Sequence, residues 1–274
     1  MSLPYNPRTE LTIIQLRKYL PHGVLLSGEQ GVGLEQAALD IADRQLAEVI
    51  RPTTSEGVVD GAKGVIRIEQ IRSLYEATRG KSKHRRIYII TKAETMGEPA
   101  QNALLKLLEE PTLHAHFILT SHHPMKLLPT ILSRLQKVRI DTLEGDQSKQ
   151  LLMERGITDS TLMQQLLFLA NGRPALLDEL ASNTKLRSER IKYMSDARTF
   201  LQGTVADRLR ILHEYGGDRT QSLQLIESAL AIIKHSLHQK PSVSQLQLAN
   251  SLVSAYDSIA ANGSAKLNLM LIVV

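Results

Sequence analysis

Leu20-Pro21-His22-Gly23-Val24-Leu25-Leu26-Ser27-Gly28-Glu29-Gln30-Gly31-Val32-Gly33-Leu34-Glu35 carries the reading of the fold. The apolar run from Gly23 to Leu26 is short and bounded by turn residues, as a buried strand is. Gly28, Gly31 and Gly33 follow it, and a helical pattern opens at Leu34. Strand, glycine-rich turn and helix is the context of a phosphate-binding P-loop, and Gly28 and Gly33 fit its G-x-x-x-x-G frame. Such a loop holds phosphate with backbone N–H groups and the positive end of the helix dipole. It also needs a lysine against the β- and γ-phosphates and a hydroxyl for Mg²⁺. Those two positions carry Leu34 and Glu35. Leucine brings no charge and a carboxylate adds repulsion, so efficient hydrolysis is not expected here. A plainer reading stands beside it: the glycines only turn the chain from strand to helix.

Outward from this loop the alternation continues. Arg86-Ile87-Tyr88-Ile89-Ile90, Phe117-Ile118-Leu119-Thr120 and Lys137-Val138-Arg139-Ile140 read as further buried parallel strands. Helical patterns fill 34–49, 68–79 and 99–110; the last opens at Pro99 and stops before Pro111. Alternation of this kind implies right-handed βαβ units around a parallel sheet. After the run ending at Ile90, a nucleotide hydrolase would place an acidic pair for Mg²⁺ and water. Thr91 and Lys92 stand there instead, and Glu94, two residues too late, reads as a solvated loop residue. Two motifs without their charged chemistry point to a fold kept and a catalysis dropped.

Past residue 141 no strand pattern recurs. Helical stretches at 146–155 and 160–169 lead into Ala170-Asn171-Gly172-Arg173-Pro174, a helix C-cap and restart. A charged stretch, 182–195, reads as a bridge. Helices follow at 197–215, 219–238 and 242–261, with Gly216-Gly217, Pro241 and Asn262-Gly263 between and after them. The expected class is α/β plus all-α: a P-loop-type parallel-sheet domain at 1–141, a small helical domain at 142–195 and a helical domain at 196–274.

Composition agrees. The chain has 274 residues, 42% hydrophobic and 22% charged, enough to fill a core. It has no cysteine, which excludes disulfides, thiolate metal sites and a cysteine nucleophile. No apolar run approaches the ~18–20 residues of a membrane span, and no secretory signal is visible, so a cytoplasmic protein is expected. A net charge of +5 permits anionic partners without requiring them. The basic cluster Arg79, Lys81, Lys83, His84, Arg85 and Arg86 reads as a solvated turn, or as a contact to duplex phosphates.

Four segments carry a resemblance to the AAA+ subunits of bacterial DNA polymerase III clamp loaders. Leu20 to Gly28 is similar to the first strand of that family. Ile66-Arg67-Ile68-Glu69-Gln70-Ile71-Arg72 resembles its I-x-I-[ED]-Q-I-R segment. Asn102-Ala103-Leu104-Leu105-Lys106-Leu107-Leu108-Glu109-Glu110-Pro111 resembles its N-A-L-L-K-x-L-E-E-P helix. Pro124 to Leu135 resembles the stretch ending in its Ser-Arg-Cys motif, here Ser133-Arg134-Leu135. The match is strong over 20–140 and weaker beyond, ending at 262–271. A degenerate phosphate loop with the Ser-Arg pair kept resembles the family's delta-prime branch.

The resemblance implies an AAA+ domain, a small helical lid and a helical collar. It implies a subunit without enzymatic activity of its own and without a bound cofactor. Gly28, Gly31 and Gly33 become a degenerate phosphate loop, and Arg134 an arginine finger acting in trans on ATP held by a neighbour. The implied partners are gamma/tau-like and delta-like clamp-loader subunits, the sliding clamp and primer-template DNA, with no membrane. Asn102 and Lys106 are candidate DNA contacts, and the C-terminal helices would pack with their counterparts. The family's four-cysteine zinc module is absent, since 44–65 holds no cysteine, so no metal is implied. His122 takes the place of a polar sensor, and Ala175 or Arg173 that of the second-domain sensor arginine. Two alternatives remain open: an ATP-hydrolysing gamma/tau-like subunit, and a free-standing basic nucleic-acid-binding protein.

Overall fold

A computed structural model describes residues 3–43, 47–61, 63–79, 85–109 and 114–273. Among these the sheet has five strands, β1 (Gly23–Ser27), β2 (Ala47–Ile50), β3 (Arg86–Ile90), β4 (Ala115–Ser121) and β5 (Gln136–Arg139). Every pairing is parallel and the spatial order is β2-β3-β4-β1-β5. The helices around it are α1 (Pro7–Lys18), α2 (Leu34–Ile41), α3 (Ile68–Arg79), α4 (Glu98–Glu109) and the single turn α5 (Pro129–Leu132).

Side chains alternate across the strands with a period of two, so each strand feeds both faces. Leu25, Tyr88, Ile90, Phe117 and Leu119 pack with Ile71, Leu74, Leu104 and Ile131 from α3, α4 and α5. Val24, Leu26, Ile87, Ile89 and Ile118 pack with Ile13, Leu16, Leu34, Ala37 and Ile41 from α1 and α2. Tyr88 lies beside Phe117 in register, and their rings stack 5.5 Å apart. Each such buried side chain stabilises the fold by about 1.5–3 kcal/mol, which explains why the strands are apolar on both sides.

Two differences from the sequence reading lie in this half. The pattern at 34–49 is not one helix: α2 stops at Ile41, Asp43 takes a positive φ of 55°, and Ala47–Ile50 is strand β2. Val49 and Ile50 are β-branched and pair with Ile89 and Ile90, a packing that overrides the helical spacing. Helix α1 was not anticipated. Asn6 caps it by accepting from the Arg8 N–H, Pro7 opens it, and Thr9, Ile13 and Leu16 are its buried stripe.

The remaining helices are α6 (Gly145–Glu154), α7 (Ser160–Ala170), α8 (Pro174–Ser182), α9 (Thr184–Gln202), α10 (Val205–Tyr215), α11 (Arg219–Gln239), α12 (Val243–Ala260) and α13 (Ala265–Val273). Helices α6, α7 and α8 pack on one another. Asn171 and Gly172 end α7 with positive φ, the expected cap. The chain divides into two compact units, Met1–Ser182 and Asn183–Val274. The charged stretch at 182–195 is not a bridge but most of α9, so the expected boundary at 195 lies inside a helix. Lysine, arginine and glutamate are good helix formers, and a narrow buried stripe at Ala197 and Phe200 suffices to dock α9. The break comes at Gly203, before a capping box between Thr204 and Asp207. Phe200, Tyr215, Ile226, Leu252, Ile259 and Leu269 centre the core of the second unit. Among the described residues no helix is long and apolar enough to cross a membrane.

Candidate functional site

In this strand order the chain leaves β1 toward β2 on one side and leaves β4 toward β5 on the other. Ligand crevices of open parallel sheets form at the carboxyl ends of such a strand pair. Gly28 follows β1 and His122 follows β4, and His122 Nδ1 lies 3.0 Å from the Gly28 carbonyl oxygen. Gly31 and Gly33 hold φ values of +92° and +86°, which L side chains rarely adopt. The three glycines and His122 are therefore brought together at the switch point.

The chain's own residues cover this loop. The Gly31 carbonyl accepts the N–H groups of Ala175 at 2.9 Å and Leu176 at 3.1 Å, from the first turn of α8. Those are donors a helix start leaves unpaired. A Cβ added at Gly31 would meet Leu176 at 2.9 Å, and one added at Gly33 would meet Leu3 at 2.9 Å. Gly31→Ala therefore combines a clash with a disfavoured φ and is expected to cost about 1–3 kcal/mol, read as a lower midpoint in thermal melting.

The positions that would handle nucleotide are tied up within the chain. Leu34 is 4% exposed and belongs to the core beneath α2. Glu35 pairs with Arg51, Oε1 to Nη2 at 2.5 Å. Thr91 is buried and donates to the Ile50 carbonyl at 3.2 Å. Lys92 donates from Nζ to the Gly61 carbonyl at 2.6 Å. Glu94 differs from its expected place as a solvated loop residue. The 3₁₀ turn Ala93–Thr95 tucks it against the end of β4, where Oε1 accepts the His122 N–H at 3.1 Å and Oε2 is buried without a partner. Both candidates for the second-domain sensor lie against the loop: the Ala175 Cβ is 3.6 Å from the position a Gly33 Cβ would take, and the Arg173 Cβ and Cδ are 3.5 and 3.7 Å from that of a Gly31 Cβ. Arg173 turns its guanidinium to the Ala170 and Leu169 carbonyls, at the negative end of α7.

Arg134 lies elsewhere. It follows α5, and its carbonyl oxygen is 3.5 Å from where a Gly23 Cβ would stand, so it sits at the opposite end of β1 from the loop. A five-residue strand separates the two ends by roughly 16 Å. Arg134 Nη2 lies 2.8 Å from Glu109 Oε1, and Nη1 donates to the Thr130 carbonyl at 2.9 Å and to Ser133 Oγ at 3.3 Å. Leu135, next in the motif, is buried against Gly23.

Asn102 and Lys106 line a groove of about 600 Å³ between α3 and α4, together with Ile71, Arg72 and Tyr75. Of the basic cluster, Lys81, Lys83 and His84 lie outside the described residues, while Arg86 Nη1 donates to the Ala77 carbonyl. Sequence reasoning missed Leu3, Leu176 and Glu109 at these sites. No local signal marks the first two; Glu109 was visible in its motif, but not its partner.

The family described as "DNA polymerase III, delta subunit" matches residues 9–144. The chain is 26% identical over 249 residues to DNA polymerase III subunit delta' of Bacillus subtilis, covering 84% of this chain and 70% of that one. It is 30% identical over 149 residues to the delta' subunit of Pseudomonas aeruginosa, covering 53% and 45%. Subunit tau of Escherichia coli is 28% identical over 233 residues, covering 74% and 36%. Among solved structures, a DNA polymerase III gamma subunit-related protein from Thermotoga maritima superposes with a TM-score of 0.59 at 21% identity, over 97% of both chains. That likeness supports the fold.

Proposed function

The chain belongs to the clamp-loader AAA+ family, near its delta-prime members, and from that premise we propose that it is a non-hydrolysing clamp-loader subunit. In this reading it supplies Arg134 in trans to ATP bound by a neighbouring gamma/tau-like subunit. It takes part in placing a sliding clamp on primed DNA during replication, in the cytoplasm.

One observation carries the reading. Leu34, Glu35, Thr91 and Lys92 are each committed to core, ion pair or backbone contacts, while Arg134 stands at the far end of β1 from its own loop. A phosphate site without lysine, hydroxyl or acidic pair has nothing to neutralise or activate. A guanidinium on the surface, by contrast, needs no nucleotide in its own chain to act on another's. In this account α6, α7 and α8 serve as the lid, and the helices beyond Asn183 as a collar toward other subunits. The similarity to a tau subunit favours the second reading, an ATP-hydrolysing subunit. The same four residues weigh against it.

The test uses the isolated full chain and a mixture with gamma/tau-like and delta-like subunits. The chain alone should release phosphate far below the ~1 s⁻¹ of slow enzymes, and should co-elute with the partners on gel filtration. Turnover by the isolated chain, or failure to join the complex, overturns the reading.

A further inference from the structure

We propose that Glu109 parks Arg134 against its own subunit, so that a neighbour's phosphate must displace the carboxylate to engage the arginine, an exchange that a shift of helix α4 favours. The inference rests on the proposed role of Arg134 in trans and names a positioning residue for it.

Both terminal nitrogens of Arg134 are occupied by acceptors of the same chain: Glu109 Oε1 on Nη2, and the Thr130 carbonyl and Ser133 Oγ on Nη1. Thr130 and Ser133 belong to the turn that carries Arg134, so the side chain folds back rather than reaching outward. A guanidinium engages phosphate through the same planar set of N–H groups. Glu109 and a γ-phosphate therefore compete for the same donors.

The placement of Glu109 is not explained by helix stability. It ends α4, where the helix dipole is negative and a carboxylate is unfavourable. Arg134 offsets that charge. The restraint is also light, because the side chains of Arg134 and Glu109 are 37% and 49% exposed. Exposed pairs couple weakly, so a triphosphate can displace the carboxylate. Helix α4 also carries Asn102 and Lys106 on the groove it shares with α3, and it packs on α5. A ligand that shifts α4 would then bias the Glu109–Arg134 pair, linking an occupied groove to a freed arginine.

The experiment uses complexes reconstituted from the full chain, gamma/tau-like and delta-like subunits and clamp, with ATP turnover measured without and with primed DNA. Glu109→Gln keeps the shape and removes the charge. It should raise the DNA-free rate by about two- to fivefold, the range that exposed ion-pair coupling allows, and lower the fold stimulation by DNA accordingly. Glu109→Asp, which keeps a carboxylate, should return the DNA-free rate toward wild type. The double variant E109Q/R134A should match R134A alone. If R134A is defective and E109Q is unchanged in both conditions, the parking role is wrong while the trans role stands. If E109Q is as slow as R134A, Glu109 supports the arginine rather than restraining it, which also overturns the proposal. If R134A itself matches wild type, the reading beneath the proposal fails.

Discussion

In a reconstituted complex, Arg134→Ala should lower DNA-dependent ATP hydrolysis while leaving the subunit folded and assembled. The side chain is partly exposed, and its removal opens no core cavity, so stability should change by no more than about 1 kcal/mol. Its charge would act where negative charge develops on the transferring phosphoryl group. Where hydrolysis depends on such an arginine, its loss costs on the order of 10³–10⁵ in rate. Several sites share the work in a complex of this kind, so the bulk rate should fall by less, and clamp loading should slow with it. Arg134→Lys should be defective too, because an ammonium cannot reproduce the planar fork. Turnover and loading are measured together, with assembly checked by gel filtration.

Leu34→Lys should fail in a different way. The substitution restores the residue that a phosphate loop uses, yet Leu34 is 4% exposed and belongs to the buried core that also holds Val32, Ala37, Ala38 and Ile140. Losing that packing and drawing an ammonium toward it should cost about 2–4 kcal/mol, even with the stem lying along apolar surface. Hydrolysis should not return, because Thr91 and Lys92 offer no carboxylate for Mg²⁺ or water. Thermal melting reads the first effect and phosphate release the second. A variant as stable as the parent that turns over ATP would show that the loop is still a working site.

The parallel sheet was legible because β1, β3 and β4 are buried on both faces, and such strands read as continuous apolar runs. Strand β2 was not. Its Glu48 is exposed and the run is four residues long, so a helical continuation from α2 fitted the same letters. Only the pairing of Val49 and Ile50 with β3 decides between them. Helix α9 was misread for the opposite reason: its surface is so charged that the narrow stripe at Ala197 and Phe200 does not stand out.

The candidate site divides in the same way. Missing lysine, hydroxyl and carboxylates are properties of single letters, so Leu34, Glu35, Thr91 and Lys92 could be read directly. What those side chains do instead could not. The Glu35–Arg51 pair, the bond from Lys92 to Gly61 and the seating of α8 on Gly31 each join residues distant in sequence. Glu94 was misplaced because its partner, the His122 N–H, comes from the residue after β4, distant in sequence. The partner of Arg134 was hidden likewise: Glu109 lies in another motif, on another helix.

In the proposed reading the phosphate loop of this chain is a structural joint and not a nucleotide site. That reading is tested most directly by calorimetric titration of Mg²⁺-ATP into the isolated full chain. Helix α8 seated on Gly31, Leu3 against Gly33 and Leu34 in the core occupy the space over the loop, and the position a phosphate loop gives to lysine is apolar. No saturable heat is expected up to millimolar nucleotide. Saturable one-to-one binding in the micromolar range, abolished by substitution at Gly31, would contradict the reading.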